Sequence, residues 1–352
     1  MASGRFGYMC SYFPVEVLMA AGYHPVRVLP AGPAPPGGML PSFLCAPVRT
    51  YLAAGMAGAY RHLAGLGMTH ACDAMQCLAQ TWEVLVKEPP LYLLRFPTRR
   101  DGAARDRLVA GLHDLAGRLP APVLEQDLVA AMAAMQVRRR RLHDILRQRS
   151  KMPPETAWSL LSDPWRAGSP DDGAEVRNDG AGPPDDGVGW DEGAADTPGG
   201  GGGGPPRIVL CGSILASSRL LEMVSEAGGA VAGDDLCTGE RGLGPALPAL
   251  DDEKGGRVGP WEALAEQYLA MPPCPCRHPS LGERVAYLMD LVAARRAEGV
   301  IVLREKFCEP HRWEDHAVVA ELRQRGLGVL ELETEAGDVA GERDLTRLQA
   351  FL

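Results

Sequence analysis

Between Ala167 and Pro206 the chain is crowded with Gly, Pro and Asp, holds almost no aliphatic residues and ends in the run Gly199 to Gly204. Such a stretch cannot bury enough apolar surface to offset the entropy lost on ordering, so the sequence predicts roughly 40 residues of flexible, disordered linker. Any core must then be built from the sequence on either side. Enough chain remains for two: 352 residues, 46% hydrophobic and 23% charged, read as ordinary globular protein. The formal net charge of −9 argues against a nucleic-acid binder that works by neutralising phosphates. Much of that acid lies in the linker, at Asp171, Asp172, Asp185, Asp186 and Asp191, where it serves solubility.

Met1 to Tyr12 lacks the basic start and long apolar run of a secretory signal, and nowhere do 18 apolar residues follow one another. The expectation is a cytoplasmic protein without a membrane segment. In that compartment nine cysteines are a poor disulfide framework, which turns attention to metal binding or thiol chemistry.

The first part, residues 1–103, alternates short apolar runs with helical patterns. Arg5 to Met9, His24 to Leu29, Met68 to Ala71 and Leu91 to Phe96 read as strands, with helices over Pro14 to Ala21 and Ala74 to Val86. From Ala104 to Arg149 the pattern is helical throughout, broken by Pro120 and Pro122, so residues 104–166 form a helical connector. Residues 167–206 are the linker, and residues 207–352 form a second α/β unit. There, strands at Ile208 to Leu210, Gly299 to Leu303 and Gly328 to Leu332 alternate with helices at Leu215 to Ala227, Val285 to Arg296 and Ala317 to Arg325. The fold class is α/β, with two doubly wound Rossmann-like domains built on parallel sheets.

Ligands in open parallel sheets gather beyond the carboxyl ends of the strands, and five cysteines are read at such ends: Cys10, Cys45, Cys72, Cys211 and Cys308. Any one could be a small buried hydrophobe; five together point to a site. No C-x2-C clip is present, so a metal would need ligands far apart in sequence. Cys274-Pro-Cys276 with His278 gives only weak support for zinc, and Cys77 reads as packed within its helix. His311 and His316, five apart, suit core or surface roles better than ligation.

Other motifs are weaker. The chain lacks a Walker A pattern, so ATP hydrolysis is not expected of it, and no G-x-G-x-x-G follows a strand. Gly212-Ser213 could offer N–H groups to a phosphate or be an ordinary turn. Arg138 to Arg141 could meet ligand phosphates or an acidic partner, or form a solvated helix face. Glu16, beyond the first strand, is a candidate catalytic acid or base, or else a first-turn carboxylate stabilised by the helix dipole.

Four ordered stretches resemble a known family. Gly7-Tyr-Met-Cys-Ser-Tyr-Phe-Pro-Val-Glu16 running into Ala20-Ala-Gly-Tyr-His-Pro-Val-Arg27 is similar to the opening of the 2-hydroxyacyl-CoA dehydratase and benzoyl-CoA reductase subunits. Cys45-Ala-Pro-Val-Arg49 followed by Thr69-His-Ala-Cys-Asp73 resembles the cluster motif of that family. Asp234-Asp-Leu-Cys-Thr-Gly-Glu-Arg241 and Lys306-Phe-Cys-Glu-Pro310 resemble its C-terminal signatures. The ordered set is far more specific than any one member.

The resemblance implies two similar α/β domains per subunit and a [4Fe-4S] cluster held by three separated cysteines, here Cys45, Cys72 and Cys308. Thiolates suit such clusters, and three ligands leave one iron open. It further implies a separate ATP-hydrolysing iron-sulfur activator, a second related subunit or a second copy, and an acyl-CoA substrate. In the family one electron from the activator makes a ketyl radical from the thioester, after which water leaves or a ring is reduced. Cys10 and Cys237 lie in matching motifs, so a larger double-cubane cluster or an electron-relay subunit stays an alternative.

Overall fold

The computed structural model describes residues 4–30, 38–99, 101–162, 204–245, 258–277, 280–335, 338–339 and 341–352. The expected linker at 167–206, but for its last three residues, and His278 lie outside the described residues.

The first sheet is made of β1 (Arg5–Tyr8), β2 (His24–Arg27), β3 (Leu66–Thr69) and β4 (Leu91–Leu94), all parallel, in the order β2-β1-β3-β4. The second carries β5 (Arg207–Cys211), β6 (Ala230–Asp235), β7 (Gly299–Glu305) and β8 (Gly328–Glu335) in the same relative order, β6-β5-β7-β8, with the two-residue β9 (Asp338–Val339) antiparallel at its edge. Each sheet thus reverses direction of winding beside its first strand, and the crevice outside the carboxyl ends there is where such folds place ligands. The expected α/β class with two parallel sheets is borne out.

Helices cover both faces of each sheet, and the central strands β1, β5 and β7 are accordingly buried along nearly their whole length. On one face of the first sheet lie α1 (Val15–Ala20), α4 (Gly102–Arg118) and α5 (Glu125–Arg147); the stripe Leu108, Leu112, Leu115 meets Leu128, Met132 and Met135. On the other lie α2 (Ala46–Met56) and α3 (Asp73–Leu85), around Tyr51, Leu78 and the fully buried Trp82. The second sheet is covered by α7 (Arg219–Glu226) and α11 (Gly341–Phe351) on one side and by α9 (Leu281–Ala294) and α10 (Glu309–Gln324) on the other.

Two further helices cross between the units. α6 (Pro154–Ser162) sends Ala157 into the core of the second sheet. α8 (Pro260–Leu269), from the C-terminal half, packs Trp261, Leu264 and Tyr268 into the core of the first. Sequence periodicity anticipated neither α2 nor α8, nor β6. The helix expected from Leu215 begins only at Arg219, since Leu215 is held in the preceding turn by its N–H on Thr238 Oγ1, 3.0 Å away. No described helix is long and apolar enough to cross a membrane.

Candidate metal centre

The carboxyl ends of the two sheets face one another. Ser11, just past β1, donates its hydroxyl to the carbonyl of Cys237, just past β6, at 2.5 Å, and Tyr12 OH reaches the Pro272 carbonyl at 2.7 Å. A cleft of about 770 Å³ opens along this seam, lined by Cys45, Cys72, Cys276 and Cys308. Pockets of this size are typical of ligand sites.

The three cysteines expected as cluster ligands therefore share one cavity, and they reach it in the same way. Cys45 is the N-cap of α2, Cys72 of α3 and Cys308 of α10. Helix N-termini carry unsatisfied N–H groups and a positive end of the dipole, which favour anionic sulfur. No tight capping hydrogen bond forms to the sulfurs, yet the N–H groups of Val48, of Met75 and Ala74, and of His311 act on Cys45, Cys72 and Cys308 to ease ionisation. Phe307, immediately before Cys308, sits at φ 59°, a left-handed conformation that bulky residues rarely adopt. Cys45 departs from the expectation in one respect: it follows a turn, not a strand, and only the helix it caps points it inward.

Burial works against bare thiolates here. It pushes the Cys45 thiol up to about 12, with Cys72 adding to the effect, and holds Cys308 well above its ordinary value, with Cys45 adding. Cys72 moves the other way, chiefly because the Cys276 thiol hydrogen-bonds to it. A cationic metal core would remove this penalty, because coordination deprotonates a thiol outright.

Cys276 was not anticipated as part of this group; the C-x-C spacing was its only signal. Its place is set by Arg277, whose guanidinium donates to the carbonyls of Phe96, at 2.5 Å, and His70 at the end of the first sheet. Arg284 holds the preceding turn through the Pro273 carbonyl at 3.0 Å. The line of thiols continues inward, Cys276 to Cys274 to Cys237, each within hydrogen-bonding reach of the next. Among the described residues no three His, Cys, Asp or Glu side chains stand close enough to hold a single ion. A cubane differs in demand, since each thiolate takes a different iron. The soft donor set and the size of the cleft fit that group.

The Asp234 to Arg241 signature is a buried ion network beneath the cleft. Asp235 binds Arg241, with Nε to Oδ1 at 2.8 Å, and Arg284; Asp234 and Glu240 both bind Arg149. Arg241 also lies 3.3 Å from Cys237 Sγ. Gly239 admits no side chain, because a Cβ there would run into the Asp234 carboxylate. Gly212 is a packed turn: its N–H bonds the Asp235 carbonyl at 3.1 Å, so it has none to offer a phosphate.

Glu16 is placed elsewhere. It is wholly buried in the first turn of α1, its Oε1 2.6 Å from Arg139 Nη2 and its Oε2 receiving the Tyr268 hydroxyl at 2.8 Å. It does not line the cysteine cleft. Cys10 and Cys237 are likewise outside the lining of that cleft, and Cys77 is half-buried within α3. His311 is buried beside Asp315, while His316 is exposed.

Comparison with known proteins agrees with the four signatures. Residues 10–352 match the model of the 2-hydroxyglutaryl-CoA dehydratase D-component family. The chain belongs to that family. Among its relatives, the (R)-phenyllactyl-CoA dehydratase beta subunit of Clostridium sporogenes is 23% identical, over 98% of this chain and 90% of that protein. The lactoyl-CoA dehydratase subunit beta of Anaerotignum propionicum is also 23% identical, over 99% of this chain and 91% of its own length. This member of the family is thus aligned nearly end to end with subunits of CoA-ester dehydratases.

Proposed function

We propose that the chain is the iron-sulfur subunit of a 2-hydroxyacyl-CoA dehydratase-type enzyme, in which Cys45, Cys72 and Cys308 hold a [4Fe-4S] cluster in the cleft between the sheets. The observation that carries the reading is the convergence of these three thiols, remote in sequence, on one cavity. When bound, such a cluster supplies one-electron chemistry and an iron not taken by protein. The chain's own contribution is to offset part of the burial penalty on ionised sulfur through three helix N-termini, to seat the thiols on helices packed against two sheets, and to limit water with the rim of Phe43, Phe307 and Trp313. Arg312, at the mouth, offers a fork for the phosphates of an acyl-CoA. The beta-subunit names of the relatives support a second, related subunit as partner, and the resemblance supports an activating ATPase that delivers the electron. Elimination of water from the thioester is the reaction we assign, with reduction of the thioester's acyl group as its close variant.

Cys276 favours a second reading. A fourth thiol in the same cleft could complete the coordination, and a fully ligated cluster relays electrons without touching substrate. Anaerobic purification should give brown protein with about four irons per chain, lost on Cys45→Ala, Cys72→Ala or Cys308→Ala; colourless, iron-free protein after reconstitution would sink both readings. Titration with an acyl-CoA then separates them, since only an open iron changes its EPR signal. Cys276→Ser should leave the iron content intact under the first reading and lower it under the second.

A further inference from the structure

A second cavity, of about 50 Å³, lies between the first sheet, α5 and the turn after β6, and shares no lining residue with the cysteine cleft. Three arginines, Arg27, Arg138 and Arg139, line it together with an apolar wall that includes Met135, Leu142 and Leu146. Arg139 is 6% exposed; Glu16 engages its Nη2, and its Nε and Nη1 carry no hydrogen bond. Arg27 stands over the Tyr8 ring and gives Nη1 to Ser11 Oγ at 3.1 Å, while its Nε and Nη2 are buried without partners. Buried N–H donors on charged groups are costly unless something accepts from them. Among the described residues no carboxylate lines the cavity; Glu16, behind it, pairs with Arg139.

A carboxylate matches what these forks lack, since a planar guanidinium pairs with two oxygens. The volume limits the ligand: a water takes roughly 10–15 Å³ of such space, so the cavity holds only a few heavy atoms. The apolar wall asks for a tail that inorganic anions do not have. We propose that this cavity binds a short-chain monocarboxylate, its carboxylate received by Arg27 and Arg139 and its aliphatic tail laid against Met135, Leu142 and Leu146. The site stands independently of any cluster, and it gives the Arg138 to Arg141 run a divided role: Arg138 and Arg139 face the cavity, while Arg140 and Arg141 face solvent.

The test uses the full chain, purified without oxygen and titrated calorimetrically with butyrate, inorganic phosphate and n-butanol. Butyrate is expected to bind saturably at one site and to raise Tm, with phosphate and butanol each weaker by about tenfold or more. Arg27→Met should weaken butyrate by a similar factor while leaving the fold intact by circular dichroism. Saturation-transfer NMR on the unaltered protein gives a readout that needs no variant, with transfer strongest at the butyrate methyl. Absence of saturable butyrate binding, equal binding of phosphate or butanol, or full affinity in a folded Arg27→Met variant would each overturn the proposal.

Discussion

Asp235 shows how much of this protein rests on single buried charges. Burial alone would raise its carboxyl, but Arg241 and Arg284 outweigh burial and hold it at about 2. A folded value below the unfolded one means stability that is present above about pH 4 and is lost as pH falls toward 2. The difference amounts to about 2 kcal/mol. Urea unfolding at steps between pH 5 and 2 should therefore show a loss of that order, and Asp235→Asn should flatten the slope while costing about 3–5 kcal/mol at neutral pH, by stranding two arginines. A slope unchanged in the variant would mean other carboxylates govern the acid limb. At this scale the sequence was partly legible. Cys45, Cys72 and Cys308 stood out because each follows an apolar run within a longer signature. Cys276 did not, because only Arg277, reaching back across the chain to His70 and Phe96, puts it there. Glu16 carried two readings, and the buried partner that distinguishes them, Arg139, lies on a helix more than a hundred residues away.

Among the elements, α8 does the work least visible in the pattern. It lies in the C-terminal half, yet Trp261 is 5% exposed against the first sheet's helices, its ring 4.4 Å from that of His113. Tyr268 on the same helix accepts from Val15 N–H at 3.3 Å and donates to Glu16. Trp261→Ala should cost about 3–5 kcal/mol in guanidinium unfolding, the ordinary penalty for emptying a buried indole site; a loss under 1 kcal/mol would mean that α8 is a peripheral cover. Periodicity missed α8 because it is short and buried over most of its surface, with Ala263, Leu264 and Ala265 all buried. Strand β6 was missed for a different reason. Ala230 to Asp235 contains a glycine and two aspartates, residues depleted in strands, and arginines from three other elements make them tolerable there. The long helices α4 and α5 and the strands β1, β5 and β7 were legible, since their apolar stripes or runs have no competing interpretation.

At the level of the whole molecule, two sheets with the same winding are fastened to each other at their carboxyl ends. Ser11 to Cys237, Tyr12 to Pro272 and Arg277 to Phe96 all cross the seam, and α8 and α6 each cross in opposite directions. Residues 1–162 made alone would leave bare the surface that Trp261, Leu264 and Tyr268 cover. That fragment should bind ANS and lack a cooperative melt, whereas the full chain should unfold with coincident far-UV and fluorescence transitions. A well-folded fragment with a sharp transition would contradict the account. Two α/β units were readable from the alternation of strands and helices, but their mutual dependence was not, because nothing local marks a helix as belonging to the earlier sheet.

The cleft draws Cys45 and Cys72 from the early part of the chain and Cys276 and Cys308 from its last quarter. A nascent polypeptide halted before α8 has two of these thiols in place and nothing to set opposite them. If Cys45, Cys72 and Cys308 hold the proposed cluster, its three ligands coexist only once translation has passed Cys308, which places loading in the last stretch of synthesis or after it.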